Sequence, residues 1–176
     1  MIETHPFGNF VPLYAKYLIL GSFTGRQAVK GSASTDDAYD WFYGTKRNQF
    51  WSIVEVVYEI ELRTKVARQE MLTKLGIAMA DIIYQCERKE GNNLDGNLIN
   101  IVYNIDAITE ILEKNKIEKI FFSSRFVENR FRKVFKSIID RHPTLELITL
   151  PSPSPRYAQL NKEQKIIKYK ELLPKI

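Results

Sequence analysis

Four short segments hold the residue types from which a binding or catalytic site could be built. The first is Gly21-Ser22-Phe23-Thr24-Gly25, which follows a short apolar run. Two glycines at this spacing let a backbone turn sharply and come close to a ligand. No third glycine opens a helix where a dinucleotide fingerprint needs one, and no Gly-Lys-Ser/Thr follows, so both common nucleotide-cofactor readings are disfavoured.

The second segment, Tyr39 to Trp51, holds six aromatic residues in thirteen, with Lys46, Arg47 and Asn48 among them. Aromatic faces can sandwich a base, basic side chains can hold phosphate, and an amide can position polar atoms. Phe50 and Trp51 read as helix core. Tyr43 and Asn48 read as functional, although Asn48 stands where a helix begins and a simple cap is its rival role.

The third segment, Leu150 to Tyr157, carries three prolines and two serines before Arg156. Such a stiffened loop presents serine side chains and backbone N–H groups in a fixed shape. It could press against a phosphodiester backbone while Arg156 or Tyr157 reaches into a duplex; it could equally be a rigid surface turn. The fourth segment runs from Asp81 to Asn100. Asp81 could activate water or cap the loop after it, and Asp95 could approach the same pocket.

Alternating apolar runs and amphipathic stretches must position these segments. Tyr17 to Leu20, Ile77 to Ile83, Lys119 to Phe122 and Leu145 to Leu150 read as strands. Helices are expected over Asn48–Tyr58, Thr64–Leu75 (stopping at Gly76), Asn104–Asn115 and about Lys162–Leu172. Val127, Phe131, Val134, Phe135, Ile138 and Ile139 predict one further amphipathic helix. Residues 84–100, polar and rich in Asn and Gly, read as a long loop. Strands alternating with helices predict a parallel sheet covered on both faces, with ligands beyond the carboxyl ends of its strands. The glycine, acidic and proline-rich segments fall at those ends, as does Ser123 to Arg125.

Composition bounds the possibilities. The chain has 176 residues, 44% hydrophobic and 27% charged, with a net charge of +5. This excludes disorder and collagen-like structure and suits one domain over residues 1–176. No apolar run reaches the roughly 18 residues of a membrane span, and no signal peptide is visible. Cys86 is the only cysteine and His5 and His142 the only histidines, so an intrachain disulfide and a four-thiolate metal site are impossible. A reduced, cytoplasmic setting is expected. Residues 125–176 carry a balance of +7 against −2 for the rest. This fits either a nucleic-acid partner or a solvated surface on lysine-rich helices.

Taken together, GSFTG, FYGTKRNQFW, GIAMADII, IEKIFFSS and LPSPSP, in that order, resemble the uracil-DNA glycosylase superfamily. The chain is most similar to the branch described as hypoxanthine or deoxyinosine DNA glycosylases. The resemblance spans about residues 16–172, and FYGTKRNQFW with LPSPSP is its most specific pair. It implies an α/β fold: a three-layer α/β/α sandwich on a four-stranded parallel sheet. It further implies hydrolysis of the N-glycosidic bond of a deaminated base in DNA, without cofactor or metal, by a protein expected to be a monomer.

By the same resemblance, Asn48 matches the amide used to position or polarise the attacking water. Phe23 stands where mismatch-specific relatives place an asparagine, and Thr24 replaces the usual proline. Leu150 replaces the histidine that stabilises the leaving base, and Ser123 the asparagine that reads its edge. The iron–sulfur branches are excluded by the missing cysteines. An extruded base would lie against Phe23 or Tyr43, its polar edge meeting Ser123 and the backbone of Gly21, Ser22 and Gly25. Lys46, Arg47, Ser152, Ser154 and Arg156 would hold phosphates. No lysine in the matched motifs is placed as a Schiff-base nucleophile, so base removal without strand cleavage is expected. The competing expectations are a glycosylase-fold protein that binds nucleic acid or a free base without cleaving it, and a small-molecule enzyme of unrelated chemistry.

Overall fold

The computed structural model describes residues 1–24 and 40–176. Its central sheet has four parallel strands: β2 (Tyr17–Gly21), β3 (Ile77–Asp81), β6 (Lys119–Phe122) and β7 (Glu146–Thr149), in the order β3-β2-β6-β7. Alternate side chains of a strand point to opposite faces, and the burial follows that rule. Leu18, Leu20, Ala78, Ala80, Ile120 and Phe122 enter one apolar cluster, while Ile19, Ile77, Met79 and Phe121 enter another.

The first cluster is closed by α3 (Ile105–Lys114), α4 (Arg125–Val134) and α5 (Lys136–Arg141), the second by α1 (Phe50–Tyr58), α2 (Lys65–Leu75) and α6 (Lys162–Leu172). The architecture is the expected α/β/α sandwich. Helix limits follow local chemistry. Thr64 caps α2 through the Ala67 N–H at 3.1 Å, and Gly76 ends it in the left-handed region at φ 67°. Asn161 and Gln164 form a reciprocal capping box that opens α6.

Three expectations need correction. Ile77–Ile83 is not one strand: β3 stops at Asp81, and β4 (Ile83–Arg88) departs into a second sheet. Residues 84–100 are not a long loop. Most of β4, a 3-10 turn at Asp95–Asn97 and the start of β5 (Leu98–Tyr103) form an antiparallel hairpin there, edged by β1 (Ile2–Thr4) in the order β1-β4-β5. Its polar outward residues mimic a loop, and register shifts at Gln85 disturb the alternation that would have marked strands. The series from Val127 to Ile139 is two helices, because Phe135 leaves helical geometry at φ −103°, ψ 25° while staying buried between Phe131 and Ile138.

Candidate active site

Strands β2 and β3 end side by side, with Gly21 opposite Asp81 in the parallel register. A Cβ on Gly21 would stand 2.3 Å from Asp81 Oδ1 and 2.8 Å from Tyr43 Oη. The glycine therefore makes room for the protein's own carboxylate and phenol, not for a turn or a ligand as its motif suggested.

Asp81 is held from below. His5 Nε2 lies 2.7 Å from its Oδ2, and both side chains are buried. The Phe7 backbone N–H donates to His5 Nδ1 at 3.3 Å. With Nδ1 the acceptor of that bond, Nε2 carries the proton and donates it to Asp81. Phe7, Phe23 and Phe42 enclose the imidazole at ring-centroid distances of 5.5–5.7 Å. His5 arrives because β1 pairs with β4 and the His5 N–H continues that pairing to the Tyr84 carbonyl at 2.8 Å. Sequence reasoning missed it: a lone histidine 76 positions from its partner has no spacing signature.

Tyr43 lies over the same floor. Its backbone φ of 55° is sparsely populated for a residue with a side chain, and its ring stacks on Phe50 at 4.3 Å. Burial drives the phenol's pKa well above its usual value, and the charge of Asp81 adds to the rise. Ser123 is close enough to temper the shift, but its placement does not meet hydrogen-bond geometry, and the buried Tyr43 hydroxyl has no partner among the described residues. An orphaned buried hydroxyl beside an open cavity is a donor waiting for a ligand.

Above this floor opens a cleft of about 470 Å³, a size that suits a small ligand or an extruded nucleobase. Ser22, Phe23, Tyr43, Asn48, Asp81 and Ser123 line it, with Arg47, Ser152, Ser154 and Arg156 from the flanking loops. Lys46 and Tyr157 are not among its lining residues, Gly21 lies beneath its floor, and Gly25 falls outside the described residues. Tyr157 instead donates its hydroxyl to Gln159 and sets its ring near the Lys165 ammonium. Leu150 is packed in the core and does not reach the cleft.

Asn48 lies at the entry to α1 but is not its N-cap. The cap position of α1 is Gln49, and Asn48 stands one residue before it, where its Oδ1 accepts the Phe50 N–H at 2.9 Å in an Asx turn that leads into the helix. Its amide nitrogen has no protein partner among the described residues, so a donor remains on the cleft wall.

The hairpin brings in Asp95. Ser22 Oγ donates to Asp95 Oδ1 at 2.6 Å, and the carboxyl lines the cleft with Asp81. Burial pushes its pKa up and the charge of Asp81 adds to this, while the Ser22 bond and Arg88 pull the other way. Arg88 is itself committed to Glu3 at 3.1 Å, the Thr24 carbonyl at 2.8 Å and the Asn92 carbonyl at 3.4 Å, with its guanidinium 5.5 Å from the centroid of Phe23. It ties the first strand, the glycine motif and the hairpin together.

The proline-rich loop is anchored from beneath. The Pro151 carbonyl accepts the Tyr169 hydroxyl, the Pro153 carbonyl the Gln49 N–H, and the Ser154 carbonyl the Lys165 ammonium, each at 2.9 Å. Lys165, only 1% exposed, also donates to Gln49 Oε1. Within the loop, Ser152 Oγ accepts the Ser154 N–H and Ser154 Oγ accepts the Arg156 N–H. These backbone donors are therefore spent internally. The two serine hydroxyl protons remain to donate outward.

The basic balance of residues 125–176 does not converge on the cleft. Arg125, Arg132, Lys136, Arg141 and Lys168 form ion pairs with neighbouring carboxylates, and Arg156 is the one basic side chain of that region lining the cleft.

The chain superposes on the solution NMR structure of a "putative Uracil DNA glycosylase" from Methanosarcina acetivorans, with a TM-score of 0.68 and 20% identity. The match covers 98% of this chain and 96% of that one. The fold is uracil-DNA glycosylase-like. No family model and no curated protein matches the chain. In this glycosylase-like fold, no group of three or more His, Cys, Asp or Glu among the described residues is placed to hold a metal ion. No helix among them is long and apolar enough to cross a membrane.

Proposed function

We propose that the protein is a monofunctional DNA glycosylase that hydrolyses the N-glycosidic bond of a deaminated base, hypoxanthine or uracil. The observation that carries the reading is the pairing, in one cleft at the strand ends of a glycosylase-like fold, of a buried carboxylate with an amide donor. Asp81 is oriented by His5, and Asn48 presents its amide nitrogen.

Cleavage leaves positive charge on the sugar and sends electrons to the base. The attacking water needs an acceptor for its proton, and Asn48 cannot serve, because an amide does not titrate usefully. Asp81 takes that role: its Oδ2 is fixed by His5, and its Oδ1 faces the floor shared with Tyr43. Asn48 then orients the water or a base carbonyl. Tyr43, kept protonated by burial, donates to a polar edge of the base. Phe23 and the rigid loops exclude solvent, which strengthens each of these interactions.

Asn48→Ala tests the reading. The variant loses base release while retaining affinity for the lesion duplex; its fold survives because one lost side-chain–backbone hydrogen bond costs about 1 kcal/mol. Undiminished base release would remove Asn48 from the chemistry.

Phosphate holding falls to Arg47, Arg156 and the hydroxyls of Ser152 and Ser154. Arg47→Ala and Arg156→Ala each reduce the slope of log affinity against log salt by about 1. Fluorescence titration of a labelled duplex at several salt concentrations measures it. Unchanged slopes for both would place the DNA elsewhere.

One feature supports a second reading, binding without cleavage. Leu150, matched by resemblance to a histidine that stabilises the departing base, is buried and apolar. Duplex binding with no base release would favour it.

A further inference from the structure

Among the described residues two carboxyl groups line the cleft, and their surroundings differ. Asp81 Oδ2 accepts a hydrogen bond from His5 Nε2, which sets that side chain in the role of acceptor. Asp95 receives only the Ser22 hydroxyl, on Oδ1; its second oxygen has no hydrogen-bond partner among the described residues. Among the described residues no cation contacts it directly, and Arg88 spends its nitrogens on Glu3, Thr24 and Asn92. Pairs of carboxyls in such unequal settings divide into base and acid.

On the glycosylase reading, which this step assumes, we propose that Asp95 is the general acid that protonates the leaving base, and that it acts on purines. A purine offers ring nitrogens N3 and N7, whose in-plane lone pairs can take a proton, whereas uracil offers only weakly basic carbonyl oxygens. The water oxygen bonds to C1′ as the C1′–N9 bond breaks. The water's proton passes to Asp81, and the Asp95 proton passes to the purine ring nitrogen. Water has then been added across the bond, and transfer of a proton from Asp81 to Asp95, through solvent, restores the starting state.

Asp95 protonates readily because burial and Asp81 raise its pKa, against Ser22 and Arg88; Tyr43, which also feels its charge, stays neutral. The proton-donating form therefore persists above the ordinary carboxylate range and is lost as pH rises through the raised value.

The test is single-turnover base release from duplexes carrying deoxyinosine or deoxyuridine, across pH, for the unaltered protein and Asp95→Asn. Asparagine keeps the size of the side chain and an acceptor for Ser22. Hypoxanthine release by the unaltered protein declines with rising pH while uracil release does not follow it. Asp95→Asn slows hypoxanthine release about 10²-fold, and the loss for uracil is at least about tenfold smaller. Equal losses on both duplexes, or parallel pH profiles, would overturn the acid role and leave the glycosylase reading standing. No release by the unaltered protein from either duplex would remove that reading and the acid role with it. The pH profiles of the unaltered protein decide the matter even if the variant does not fold.

Discussion

Asp81→Asn is expected to slow base release about 10²- to 10⁴-fold, the range by which positioned acid–base groups accelerate reactions. The substitution is close to isosteric. His5 can still donate to the new side-chain oxygen, Gly21 still leaves room for it, and the partners that set the floor stay in place. What disappears is the capacity to take a proton from water. Single-turnover release with enzyme in excess isolates that step from binding and product departure. Binding of the same duplex, measured by anisotropy, persists. A rate close to that of the unaltered protein would assign Asp81 to structure alone, the role in which it only terminates β3.

Gly21→Ala is expected to be almost as damaging, although it adds one methyl group at a residue that touches no substrate. The new carbon would lie 2.3 Å from Asp81 Oδ1 and 2.8 Å from Tyr43 Oη, closer than real contacts allow. Tyr43 is held by its stack on Phe50, so the carboxylate must swing, and its 2.7 Å bond to His5 breaks. Displacing a reacting group by about 1 Å can cost 10²-fold in rate. Leaving the buried imidazole N–H unpaired costs a further ~1–3 kcal/mol of stability. Urea unfolding, run beside the rate measurement, reads both effects. An unaltered rate would mean that the Asp81–Tyr43 arrangement over Gly21 is not the working floor of the site.

The sheet was legible in the sequence because three of its strands, β2, β3 and β6, are buried on both faces. Such strands appear as short apolar runs ended by polar or turn residues, as in Tyr17–Gly21 and Lys119–Phe122. Helix α6 was legible at about Lys162–Leu172, the limits it has in the structure. The hairpin was not, because it turns only Ile83, Cys86 and Leu98 fully inward, while Tyr84, Glu87 and Arg88 look like loop polarity.

The site divides in the same way. Asn48, Phe23, Ser123 and the proline loop sit at ends of the parallel strands or in the loops packed beside them, so the crossover pattern locates them. His5 reaches Asp81 from beneath through the pairing of β1 with β4, which no local spacing announces, while Asp95, already a candidate for the pocket, is carried there by the β4–β5 hairpin and not by a loop. Gly21 was visible as a glycine, but its purpose depends on which side chains its missing Cβ admits, and that is a tertiary fact. The basic C-terminal third was legible as charge and misleading as a footprint, because most of it is spent on helix surfaces.

The central claim is tested most directly by incubating the purified protein with labelled duplexes that carry one deoxyinosine or one deoxyuridine, then treating half of each sample with alkali. The account predicts abasic sites that appear as strand breaks only after alkali, because no lysine nucleophile is proposed to cleave the strand itself. Intact strands after alkali on both duplexes, from protein that binds them, would contradict it.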